Sequence, residues 1–379
     1  MDILIRNGHV MDPANGIDGI CDVAIRDGEI LAVGDIPALE KPEILDASGC
    51  YVTPGLVDMH THVFQGGSQF GFNADLLLAY GVTVCVDAGT AGSANYEAFH
   101  HILTQKQEKI YTFLNISPMG QMGSGLNENL DPALTDIPGI AYLLEAYPQE
   151  IRGLKVRISK SIVGSFGKAP LERALELGER LHLPVCVHCT DPCIPMAEFA
   201  EMLRPGDILC HLYHGKGSTI LDASGKILPE VRKAAERGAV MDCANGRTNF
   251  SFDTAKKALA QGFLPTVIST DLTAATVSKG QMVRDLPFLL SKYLNLGLTM
   301  AEVLPCVTTK PARTLSLTDG TGTLRVGTQA DVAILKLADQ PCTFLDSQGN
   351  ALAGTKMLTN QMTIQKGSVL FDANTIPHL

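Results

Sequence analysis

Short apolar runs recur along the middle of the chain, and most are followed by a stretch with helical spacing of apolar positions. The runs are Gly55 to Met59, Val82 to Val86, Tyr111 to Ile116, Gly153 to Ile158, Val185 to Cys189, Ile208 to Leu212, Ala239 to Cys243 and Thr266 to Ser269. Near-continuous apolarity over so few residues suits a parallel strand covered on both faces. Between the runs, Glu172 to Leu181, Met196 to Leu203, Pro229 to Arg237 and Asp253 to Gln261 read as helices. Eight such units in about 260 residues predict an α/β chain with a (β/α)8 TIM barrel over residues 55–315. An open doubly wound sheet is the rival, but no G-x-G-x-x-G turn follows the first run.

The two ends read differently. Asp2 to Arg6, Cys21 to Arg26 and Glu29 to Val33 are strand-like, with Arg26-Asp27-Gly28-Glu29 as a hairpin turn. Ala330 to Leu335 and Met362-Thr363-Ile364 repeat that texture near the other end. Residues 1–54 and 316–379 together predict one small β-sandwich domain formed from both termini.

Composition narrows the class. Of 379 residues, 45% are hydrophobic and 18% charged, which supplies a large core and excludes a disordered chain. Lys+Arg 30 against Asp+Glu 40 leaves a net charge of -10 with no basic segment, so neither nucleic acid nor anionic membrane is an expected partner. The start, Met1 to Gly8, lacks the basic and apolar blocks of a signal peptide, and no run approaches the ~18 residues of a membrane span. The ten cysteines sit largely within apolar strands, as in Val84-Cys85-Val86, where cysteine acts as a small hydrophobe. A reduced, cytoplasmic protein is expected, and a homo-oligomer is compatible with the sequence.

In a barrel of this kind, chemistry collects at the C-terminal ends of the strands. The first run ends Val57-Asp58-Met59-His60-Thr61-His62, and residues two apart on a strand share a face. Two convergent imidazoles make half a metal site, although an isolated H-x-H is about as compatible with core or surface histidines. Further along, Lys155 lies inside the fourth run, His188 ends the fifth, His211 the sixth, and Asp271 follows the eighth. A lysine inside an apolar strand must bury an ammonium, which costs several kcal/mol unless it is paired, neutralised or carboxylated. A strand-end lysine reaching solvent is the alternative for Lys155, and a helix N-cap the alternative for Asp271.

With these residues the chain resembles the amidohydrolase superfamily, the metal-dependent hydrolases that include dihydroorotase, urease and hydantoinase. The likeness spans nearly the whole length, from Val52-Thr53-Pro54-Gly55-Leu56-Val57-Asp58-Met59-His60-Thr61-His62 to Gly327-Thr328-Gln329-Ala330-Asp331-Val332. It implies two divalent metal ions, zinc being the expected ion. His60, His62 and Asp271 would hold one, His188 and His211 the other, with carboxylated Lys155 bridging both. It also implies that Asp271 moves a proton from the attacking water to the leaving group.

The residues after His62, Val63-Phe64-Gln65-Gly66-Gly67, depart from dihydroorotases and hydantoinases, which commonly continue with Arg or Gln and Pro-Gly. Val86-Asp87-Ala88-Gly89-Thr90-Ala91-Gly92, Gly153-Leu154-Lys155-Val156-Arg157 and Cys210-His211-Leu212-Tyr213-His214-Gly215 instead resemble a deacetylase-like branch acting on acylated hydroxy or amino carboxylates. Hydrolysis of an ester or amide bond in a small acylated carboxylate is therefore expected. A cyclic amidohydrolase is the alternative, ahead of a mononuclear deaminase or a non-catalytic scaffold. Arg157 shares a strand face with Lys155 and suits a bidentate carboxylate clamp, a salt bridge to a barrel carboxylate being equally compatible. Asn245 and His214 complete the candidate substrate contacts, His214 being the more remote because it lies off the strand's period.

Overall fold

A computed structural model describes residues 2–375. Five strands come first: β1 (Ile3–Asp12), β2 (Ile17–Arg26), β3 (Glu29–Val33), β4 (Glu43–Asp46) and β5 (Tyr51–Pro54). Seven follow in the middle: β6 (Leu56–Thr61), β7 (Val82–Asp87), β8 (Lys109–Asn115), β9 (Ile151–Arg157), β10 (Val185–His188), β11 (Ile208–Cys210) and β12 (Val240–Asp242). The last three are β13 (Val332–Leu345), β14 (Ala351–Gln365) and β15 (Ser368–Asp372).

Strands β6 to β12 form a parallel sheet in sequence order, as expected of consecutive strand–helix units. Its two edges meet through the run after Thr266. Asp242 of β12 bridges Val267, and Thr61 of β6 bridges Leu272, both in the parallel sense. The eighth run is thus present as two isolated bridges rather than a regular strand. The chain turns out of extended conformation at Asp271, whose φ is 54°, and Ile268 N–H donates to Cys306 O instead of to a sheet neighbour. The result is an α/β, TIM-barrel-like fold.

Alternation along the strands divides the interior into two layers. Leu154, Val156, Val185, Val187, Leu209 and Met241 pack outward into a large core with Leu171, Leu177, Phe199 and Val231 of the surrounding helices. Cys186, Ile208, Cys210 and Val240, on the opposite face, join Val57, Val84, Val86 and Phe113 in a separate cluster. Lys155, His188 and Asp242 share that second parity, so the alternation that fills the barrel also aims the polar strand-end residues inward.

The remaining eight strands, from both ends of the chain, form one connected sheet of order β15-β14-β13-β5-β1-β2-β3, with β4 also on β1. They are not two separately bonded sheets. β1 pairs with β4 over its first half and β5 over its second, which lets the sheet branch without breaking. The β2–β3 connection is a two-residue turn with Asp27 at φ 52° and Gly28 at φ 85°, the positive pair that a tight hairpin requires. β5 and β13 pair antiparallel, Val332 opposite Pro54, immediately before the chain enters the barrel at β6. The long β13–β14 hairpin reaches back over the barrel. At its tip Leu345 N–H donates to Gln281 O at 2.8 Å, Ser347 N–H to Phe250 O at 3.0 Å, and Asp346 accepts from Phe252 N–H at 3.1 Å.

Among the described residues, no helix is long and apolar enough to cross a membrane. All ten cysteines are free thiols.

Candidate metal centre

His60 and Lys155 are each only 1% exposed, and His62 4%. Lys155 Nζ lies 3.4 Å from His60 Nε2, and its other polar neighbour is Cys186 Sγ at 3.5 Å. Among the described residues no carboxylate lies within 4.0 Å of this ammonium, so the costly burial foreseen from sequence is not relieved by an ion pair. His62 Nε2 and His60 Nε2 stand 3.2 and 3.6 Å from Asp271 Oδ1. On the opposite side, His188 Nδ1 and His211 Nε2 face one another at 2.6 Å. The ring centroids of His60 and His211 are 5.5 Å apart, so all six strand-end residues converge on one spot.

Neighbours fix the orientation of these groups. His211 Nδ1–H donates to Ala244 O at 2.6 Å, leaving Nε2 with its lone pair directed into the site. Thr90 Oγ1 holds His62 Nδ1 at 2.8 Å, and Asp87 in turn accepts from Thr90 N–H and Val63 N–H. Asp271 Oδ2 accepts from Asn249 Nδ2 at 2.9 Å, while Asn249 Oδ1 accepts from Thr190 Oγ1 at 2.9 Å. That second contact forces the Asn249 amino group toward Asp271. Gly246, at φ 54°, makes this crossing possible, since a Cβ there would lie 2.3 Å from Asp271 Oδ2.

Burial holds His60 and His188 well below the ordinary imidazole range and brings His211 down to about 3, so all three are neutral near pH 7. Burial also pushes the Asp271 carboxyl up, but the His62 hydrogen bond and the neighbouring imidazoles outweigh it. Asp271 stays ionised well below the usual carboxylate range. Neutral imidazoles beside an ionised carboxylate are the protonation states that metal ligation demands.

The donor set fits a divalent cation. His60, His62 and Asp271 offer ligand atoms all within 4.8 Å of one another. His60 Nδ1 and Asp242 Oδ2 are buried, 3.6 Å apart, and lack any hydrogen-bond partner, which is costly for polar atoms of an empty protein core. Nitrogen and oxygen donors of this kind suit zinc and its first-row neighbours.

A cleft opens above these groups, lined also by Phe70, Gln121, Arg157, Arg247, Asn249 and Thr276. Arg157 reaches it, but its Nε and Nη2 bond to Glu128, whose side chain is 1% exposed and also accepts from Asn115 Nδ2 at 2.9 Å. Asn245 and His214 are fully buried and do not line the cleft. Asn245 Nδ2 donates to Gly246 O and Met282 O, bracing the adjacent turn, whereas His214 Nε2 has no partner.

Sequence reasoning passed over several residues. Asp58, within the H-x-H motif's approach, accepts from Thr270 N–H, Thr270 Oγ1–H and His60 N–H, and burial pushes its carboxyl up to about 7. Asp242, which burial raises to about 6, ends the seventh strand and faces His60. Its place at a strand end was the available signal. Glu128, Arg247 and Asn249 lie on irregular segments with no periodicity to reveal them.

The sequence profile of the amidohydrolase family matches residues 51–369, from β5 to β15. The chain belongs to the amidohydrolase family. This amidohydrolase is a hydrolase enzyme, and its family is generally metal-dependent. It is 34% identical over 334 residues to a deacetylase of Agrobacterium fabrum, covering 86% of this chain and 80% of that protein. A deacetylase of Enterococcus faecalis is 30% identical over 97% of this chain and 98% of its own length. Among solved structures, an adenine deaminase superposes with a TM-score of 0.90 at 28% identity, and a dihydroorotase with 0.88 at 30%. Each covers 98% of this amidohydrolase and 99% of its own chain.

Proposed function

We propose that this amidohydrolase is a binuclear, deacetylase-like hydrolase that cleaves the ester or amide bond of a small acylated carboxylate. His60, His62 and Asp271 would hold one divalent ion, His188 and His211 a second, with carboxylated Lys155 between them and zinc the expected ion. Such ions, once bound, lower the pKa of water and polarise a carbonyl oxygen. The observation that carries the reading is the inward convergence of three neutral imidazoles, an ionised Asp271 and an unpaired buried lysine at the strand ends. The likeness to two deacetylases supports the reaction type.

Asp271 is the proton carrier in this scheme. Asn249 pins its Oδ2, so Oδ1 is the atom that takes a proton from the attacking water. The water oxygen bonds to the acyl carbon, the bond from that carbon to the leaving oxygen or nitrogen breaks, and Asp271 returns the proton to the leaving atom. Asp58 accepts from the backbone N–H of His60 behind the site.

The test is metal content per chain of protein purified without chelators, followed by hydrolysis of acetylated hydroxy acids, N-acyl amino acids and cyclic ureides. About two equivalents and turnover of an acylated acid are expected. One equivalent that reconstitution cannot raise would sink the binuclear assignment. Ring opening of a cyclic ureide is the second reading, favoured by the likeness to a dihydroorotase structure, and turnover of ureides alone would establish it.

A further inference from the structure

We infer that Arg247 is the carboxylate anchor of the cleft, in place of Arg157. This rests on the reading of the cleft as a hydrolase site for acylated carboxylates and names the group that selects them. Two guanidinium groups, Arg157 and Arg247, line the cleft beside His60, His62, His188 and Asp271. They differ in what they already hold. Arg157 is bonded through two nitrogens to the nearly inaccessible Glu128, so most of its charge is compensated within the protein. Arg247 is exposed at the mouth, and among the described residues no carboxylate lies within 4.0 Å of it.

Its backbone is nevertheless fixed. Asn245 N–H donates to Ser269 O at 3.0 Å and Gly246 N–H to Thr270 O at 2.9 Å, tying the turn to the segment that carries Asp271. Two residues on, Asn249 grips Asp271 itself, and Ser347 N–H and Oγ–H hold Phe250 O at 3.0 and 2.7 Å. A cation that lines the cleft from an anchored turn, without an internal partner, is free to take the carboxylate of a bound acid. Phe70 and Ala275 supply the apolar wall for the substrate's carbon skeleton.

The experiment compares 2-acetoxypropionate with 2-acetoxypropionamide, which release the same acetate and differ in charge at one end. Metal-loaded wild-type enzyme should prefer the acid. Arg247→Met should lower kcat/KM for the acid roughly 10- to 100-fold more than for the amide, mainly through KM, with Arg247→Lys intermediate. An unchanged acid-to-amide ratio in Arg247→Met, or no preference in wild type, would overturn the inference. A calorimetric arm with phenylacetate and phenylacetamide reads binding separately from ester hydrolysis. If wild type cleaves neither ester, the proposed function fails, and this arm decides Arg247 alone. Loss of phenylacetate affinity by tenfold or more in Arg247→Met, with phenylacetamide little changed, supports the anchor, and equal affinities for both proteins reject it.

Discussion

Replacing Gly246 with alanine would ask whether the turn at 245–249 and Asp271 act as one mechanical unit. The added Cβ would lie 2.3 Å from Asp271 Oδ2 and 2.7 Å from Asn249 Nδ2, the two atoms that hydrogen bond to each other at 2.9 Å. Neither can simply retreat. Asp271 is tied by its N–H to His60 O at 2.8 Å, and Asn249 by Thr190. The hydrogen bond must therefore break. A bond to a charged group is worth about 1.5–3 kcal/mol, so kcat/KM should fall roughly 10- to 150-fold if that bond holds Asp271 in the transition state. Backbone strain is a separate cost. Alanine in the left-handed region loses about 1–2 kcal/mol, which for a chain of this size shifts Tm by only about 1–3 °C. Gly262→Ala isolates that term, because Gly262 has φ +69° with nothing within 4 Å of its Cβ position. Far-UV circular dichroism gives both melting curves, and kcat/KM on the preferred acylated acid gives the catalytic effect. Gly246→Ala should lose activity while melting within a few degrees of Gly262→Ala. Full activity in Gly246→Ala would refute the reasoning.

Lys155→Ala should abolish most activity and lower metal content, with partial rescue of both by a small carboxylic acid in solution. Undiminished activity without added acid would remove Lys155 from the site. Lys292 is completely buried, with its Nζ on Met282 O and Leu345 O, and burial lowers its ammonium to about 7 from 10.5. Between those values the folded protein binds fewer protons here than the unfolded chain, so stability relative to Lys292→Met should rise with pH through that window. Denaturant titrations of both proteins at about pH 6 and about pH 9 measure it, and a pH-independent difference would reject the depressed pKa.

What the sequence reveals follows from where periodicity exists. His60, His188 and His211 stand out because each closes an apolar run; the period of two aims His188 inward, whereas His211 turns in through a left-handed backbone with φ 68° just past the end of β11. The same logic, applied to Val240-Met241-Asp242, exposes Asp242 as well. Asp271 follows the eighth run in the sequence, but that its strand is reduced to two bridges, and that it sits in a left-handed turn, leave no trace in hydropathy. Glu128, the partner that occupies Arg157, lies in the irregular 117–135 stretch, where neither spacing nor composition points to it. The β13–β14 hairpin was legible only at its two ends. Asp339-Gln340-Pro341 interrupts its alternation, and the ladder shifts register between Asp339 and Cys342. β4 was missed because a four-residue strand following Pro42, with none of its residues buried, resembles a loop.

The pairing of β5 with β13 also sets a schedule for synthesis. Pro54 waits for Val332, about 280 residues later, which at ~5–20 residues per second is roughly a quarter of a minute to a minute on the ribosome. The loop bearing Arg247 and Asn249 has a shorter wait but a later end, until Asp346 and Ser347 emerge to grip Phe252 and Phe250. A nascent chain with every metal-ligand candidate already made therefore still lacks the brace that completes its cleft. Premature stops before the hairpin tip should yield chains with an unbraced cleft rim, so the cleft is completed only once Asp346 and Ser347 are made.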